Sequence, residues 1–132
     1  MSKSVLYSAN TASQTTTAAG TVINFGTIVR RYGCNAELSG GNAIVKGSGY
    51  YDVDVNITFT ASGAGTAVVQ LLKDGTAVTG ATASMTTAES TTYTVNIPSV
   101  VRNVCCCESA LSVVVSGVAG AVTNAAIVVQ KL

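Results

Sequence analysis

The chain has 132 residues, of which 48% are hydrophobic, 10% charged and only 5% aromatic, with a formal net charge of +1 and no histidine. That length suits one domain able to bury about two thirds of the surface its unfolded chain exposes. Thinly spread basic residues exclude the concentrated cationic surface that nucleic acid requires, no apolar run approaches the ~20 residues of a membrane span, and the lack of histidine excludes Ser-His-Asp and Cys-His catalysis within one chain.

The chain opens on "MSKSVLYSANTASQ", without the apolar stretch of a secretory signal, so folding in the producing cell's cytoplasm is expected. Lys3 to Ala9 reads as a short opening strand and Thr11 to Gly20 as a polar loop. Thr21 to Gly33 is strand-like and carries Arg30-Arg31, whose bland reading is a solvated strand end. "CNAELSGGNAIVKGSG" reads as two short strands joined at Ser39 to Asn42.

"YYDVDVNITFTA" then alternates strictly: Tyr51, Val53, Val55, Ile57 and Phe59 on one face, Asp52, Asp54, Asn56, Thr58 and Thr60 on the other. That period of two predicts a strand with one buried face. "SGAG" at Ser62 to Gly65 is a turn, and Asp74-Gly75 inside "TAVVQLLKDGTAV" signals a hairpin. Val78 to Ser84 reads as a loop tip, "TYTVNI" alternates again, and Pro98 breaks or edges the strand, with Pro98 to Val104 as a further loop tip. "ALSVVVSG" and "NAAIVVQKL" close the chain as strands. The expectation is one antiparallel β-sandwich domain over 1–132, with 1–20 as opening strand and loop and 21–132 as the main body, built from eight to ten short strands.

The segment "IVKGSGYYDVDVNITFTASGAGTAVVQLLKDGTAV" resembles the central strands of the tumour necrosis factor/complement globular-head superfamily. The matching positions are Gly49, Tyr51 and Val53, then Val69, Leu71, Asp74 and Gly75, then Leu111, Val113 and Gly117, and finally Ile127, Val129 and Leu132. The resemblance covers about Asn42 to Leu132 and is closest to bacterial and phage members. It implies a jelly roll of about ten strands assembled as a homotrimer, with first and last strands side by side. Few aromatics and no collagen-like repeat set this chain apart from vertebrate members. Trimer contacts are expected on flat Ala/Val/Thr faces of the first and last strands, with Tyr50, Val114, Ile127 and Val129 as candidates.

Chemistry-bearing residues are sparse. Asp52 and Asp54 share a strand face, which fits a solvated polar face better than a glycosidase pair across a cleft. The Gly-rich "SGAG" and "SGGN" lack the Lys-Ser/Thr and helix of a phosphate loop. Cys105, Cys106 and Cys107 stand in a row, with Cys34 far upstream. In an extended chain Cys105 and Cys107 face one way and Cys106 the other, which argues against one tetrahedral zinc within a chain. Open alternatives are a threefold site from Cys106 of three chains, a disulfide from Cys34 to Cys105 or Cys107, an interchain disulfide, or buried reduced thiols, the favoured reading. No metal or cofactor is assigned. Tyr51 is expected in the core and Tyr50 outward or in the trimer seam, with Tyr7, Tyr32 and Tyr93 as packing residues whose hydroxyls find partners.

The functional expectation is a non-enzymatic structural protein on a virion surface, a phage capsid decoration or head-fibre accessory. Its partners would be copies of itself and capsid or other virion proteins. The runner-up is a module binding a host-surface glycan at a fibre tip or on a bacterial or spore surface, through the loops Thr11 to Gly20, Val78 to Ser84 and Pro98 to Val104.

Overall fold

The computed structural model describes residues 3–104 and 108–132. Among these, twelve strands form: β1 Val5–Asn10, β2 Gln14–Thr16, β3 Thr21–Val22, β4 Thr27–Tyr32, β5 Ala36–Ser39, β6 Asn42–Lys46, β7 Gly49–Ala61, β8 Gly65–Lys73, β9 Thr76–Thr87, β10 Thr92–Asn103, β11 Glu108–Ser116 and β12 Gly120–Lys131. One sheet runs β10-β7-β12-β1-β4, with β2 also on β12. The other runs β5-β6-β11-β8-β9, with β3 on β11. Every pairing is antiparallel. The architecture is an all-β jelly-roll sandwich, and β1 lies against β12, so the first and last strands are neighbours.

The core follows from alternation. Tyr51, Val53, Val55, Ile57 and Phe59 point inward from β7 and are at most 1% exposed. Ile127 and Val129 from β12 and Leu6 from β1 join them, and Val69, Leu71, Leu111 and Val113 close over them from the opposite sheet. These β-branched and aliphatic side chains fit the pleat and fill the space between sheets with little rotamer loss.

The strand count exceeds the expected eight to ten because Thr11 to Gly20 carries β2 and Thr21 to Gly33 divides into β3 and β4, and two further expected loops also carry ladder. Thr11 to Gly20 contributes β2, which adds three residues to β12. The expected tip at Val78 to Ser84 lies inside β9: the register with β8 breaks between Gln70 and Leu72, and the Gln70 side-chain amide donates to the Val78 and Ala81 carbonyls. The bulge therefore keeps its backbone satisfied inside the sheet. The expected loop at Pro98 is also strand, continuous to Asn103. Proline is tolerated because β10 is an edge strand with one backbone side unpaired.

At one end a buried polar cluster closes the sandwich. The Tyr51 hydroxyl donates to the Lys46 and Gly47 carbonyls. Asn35 Nδ2 donates to Lys46 O at 2.8 Å and Asn103 Nδ2 to Gly47 O at 3.0 Å, while Ser109 Oγ donates to Asn103 Oδ1 at 2.9 Å. Asn35, the stretch from Lys46 to Tyr51, and the pair Asn103 and Ser109 meet there, and burial raises the Tyr51 phenol above its ordinary pKa.

The β8–β9 hairpin shows the turn chemistry that Asp74-Gly75 predicted, with φ of 52° and 81° at the two residues. The Asp74 carboxylate accepts the Ala110 N–H at 2.9 Å, tying the turn to β11. That hydrogen bond holds the Asp74 carboxyl below its ordinary 3.8. Its contribution to stability is therefore complete above about pH 4 and disappears as pH falls through the folded-state value. Asp74→Asn, which keeps the acceptor but cannot titrate, should change stability at pH 7 by about 1 kcal/mol or less. It should also flatten the wild-type loss as pH falls below about pH 4. Urea titrations across that range check both.

Candidate functional site

The outward face of the β10-β7-β12-β1-β4 sheet concentrates the exposed apolar surface of the molecule. Strand register orders it into rows. One row reads Val100, Asp52, Gln130, Val5, Tyr32 and the next Pro98, Asp54, Val128, Tyr7, Arg30. A third reads Asn96, Asn56, Ala126, Ala9, Thr27. Of the large apolar side chains left exposed, Tyr7, Tyr32, Tyr50 and Val100 lie here, with Ile28 and Val29 on the β4 edge. Every residue of β4 is exposed, so this edge is uncovered in the single chain.

The far end of the face is polar and pre-ordered. Asn56 Nδ2 donates to Asn96 Oδ1 at 2.9 Å, and the Thr60 and Thr92 hydroxyls meet at 2.9 Å. These cross-strand pairs brace β7 against β10. A shallow depression on the same face is lined by Tyr7, Asp54, Asn56, Asn96, Asn124 and Val128.

The face also carries charge. Asp52 and Asp54 sit on β7, Arg30 on the β4 edge and Arg102 on the β10 edge. The Arg102 guanidinium lies 6.0 Å from the Tyr50 ring centroid, a cation–π distance. The ion pairs among the described residues lie elsewhere, in a chain linking Arg31, Glu37, Lys46 and Glu108. Within that chain Lys46 Nζ stands 2.9 Å from Glu37, which holds the Glu37 carboxyl below its ordinary value and the Lys46 amine above its own.

The structure corrects three of the four expected contact residues. Ile127 and Val129 are 0% exposed and face the core, so they cannot touch another chain. Their neighbours Ala126, Val128 and Gln130 hold the outward positions of β12. Val114 belongs to the other sheet, paired with Val22 of β3 and close to Gly20, so it cannot share this surface. Tyr50 is 53% exposed on this face. Of the tyrosines expected to pack, the Tyr93 hydroxyl accepts the Ala88 N–H, whereas Tyr32 is 70% exposed. Asp52 and Asp54 do lie on the polar side of their strand.

Cys34 is exposed beside Asn35 of the buried polar cluster. The readings on Cys105, Cys106 and Cys107, including the threefold metal site and the disulfides, lie outside the described residues. Among the described residues no group of three or more Cys, Asp or Glu side chains is placed to hold a metal ion.

No protein-family profile matches the sequence, and no curated protein matches it. Solved structures do. Murine APRIL superposes with a TM-score of 0.74 at 16% identity, covering 99% of this chain and 100% of that one. Eiger TNF from S. frugiperda gives 0.69 at 14%, covering 98% and 91%. The PRD1 vertex protein P5 gives 0.66 at 14%, covering 98% and 96%. The chain therefore has the tumour necrosis factor-like jelly-roll fold over nearly its whole length.

Proposed function

We propose that this chain is a non-enzymatic structural protein of a virion surface, a homotrimeric jelly roll that decorates a phage capsid or serves as a head-fibre accessory. The observation that carries the reading is the uncovered outward face of the sheet holding β1 and β12. It is braced by side-chain hydrogen bonds and bears exposed Tyr7, Tyr32, Tyr50 and Val100. Exposed aromatic and aliphatic side chains gathered on one sheet face among polar ones fit an association site. The low charge content of the chain fits extensive burial between copies. The likeness to PRD1 vertex protein P5 along 98% of this chain supports the virion location.

Antibody labelling of particles released from cells carrying the gene tests the location. Labelling of intact heads or vertices is expected. A protein found only in the soluble fraction, with the particles unlabelled, would contradict it. Binding of the isolated protein to a glycan array without particle labelling would favour recognition of a host sugar instead.

A further inference from the structure

We propose that the two acids that β7 presents on this face, Asp52 and Asp54, are neutralised in the assembly by an edge arginine, Arg30 or Arg102, of a second copy of the chain. The inference rests on the self-association reading and specifies its electrostatics. Both acids point outward from β7, the strand between β10 and β12. Neither has an ion-pair partner among the described residues. Arg30 shares the row of Asp54 but stands three strands away. At about 4.8 Å per strand that is roughly 14 Å, too far to pair within one chain. Arg102 lies on the adjacent strand but is turned onto the Tyr50 ring.

The face thus carries its acids on β7, beside the β10 edge, and an arginine on each edge strand. Covering β7 with apolar surface of another copy would bury both carboxylates without counter-ions, which is strongly unfavourable. When an edge strand of a second copy lies over β7 instead, its Arg30 or Arg102 meets the acids and offsets that cost. The same contact covers the exposed β4 edge or Val100 of β10.

Sedimentation equilibrium of the full chain at fixed protein concentration tests this. Asp52→Lys/Asp54→Lys should weaken self-association about tenfold or more. Adding Arg30→Asp or Arg102→Asp to that variant should restore it, and circular dichroism confirms that each chain folds. Unchanged assembly of the acid variant, or rescue by neither arginine reversal, overturns the pairing while leaving self-association standing. A monomeric wild type overturns the self-association reading itself. Should the lysine variant fail to fold, the salt dependence of the wild-type assembly decides. Weakening from about 0.05 M to about 0.5 M salt supports the pairing, and indifference to salt overturns it.

Discussion

Phe59→Ala lowers the free energy of unfolding by about 3–5 kcal/mol, the largest loss expected from any single side-chain truncation in this chain. Phe59 is fully buried near the C-terminal end of β7, with Tyr93 of β10 and Val122 of β12 as cross-strand neighbours. It is one of only two phenylalanines, so few other side chains are large enough to fill the gap. Its ring also abuts Gly120, where an added Cβ would strike Phe59 carbons and the Thr60 carbonyl. Close backbone packing on that side prevents collapse into the cavity, which places the cost at the upper part of the range. Urea unfolding followed by circular dichroism measures it, at constant protein concentration because association adds to apparent stability. A loss under about 1 kcal/mol would mean that β7 does not form the centre of the core.

The second large effect is at Gly117, which turns β11 into the segment leading to β12. Its φ is +93°, and an added Cβ would overlap the Thr66 carbonyl oxygen. Gly117 also donates its N–H to Ala18 O at 2.9 Å, so the backbone is held from both sides. Gly80 provides the comparison: its φ is +81°, but nothing lies within 4 Å of its added Cβ. Alanine at Gly80 should cost about 1 kcal/mol, the left-handed backbone penalty alone. Alanine at Gly117 should cost about 2–4 kcal/mol, because strain and overlap add. Equal losses at the two sites would show that the approach of Thr66 to Gly117 is not tight.

Much of this architecture is legible in the sequence wherever polar residues label one face of a strand. In β7 the series Asp52, Asp54, Asn56, Thr58, Thr60 marks the outside, so Tyr51 to Phe59 could only be core. Asp74-Gly75 fixed its hairpin for the same local reason, since both residues must take positive φ. β12 carries no such label. Ala126 and Val128 alternate with Ile127 and Val129, and both sets are apolar, so the pattern alone does not say which set lies inside. Which set faces inward depends on register with β7 and β1, which no local pattern encodes. The same ambiguity affected Val114, whose sheet was set by long-range pairing with β8, β6 and β3. At Pro98 the sequence leaves a strand break and an edge strand both open, because a ladder interruption is costly only when both strand sides are paired, and edge position is a property of topology.

The surface itself was half visible. Tyr50 and the sparse charge of the chain pointed to burial between copies, but the alignment of Asp52 and Asp54 between two arginine-bearing edges exists only in the folded sheet. Arg30 and Asp54 are far apart in sequence, and three intervening strand pairings set them in one row.

The most direct test of the account is the solution mass of the intact protein at micromolar concentration. Sedimentation equilibrium should return three times the 13.2 kDa of one chain, falling toward the single-chain value when Tyr7 and Val128 on the outward face are both replaced by glutamate. A wild-type mass of a single chain, stable across that concentration range, would contradict the assignment of this face to self-association.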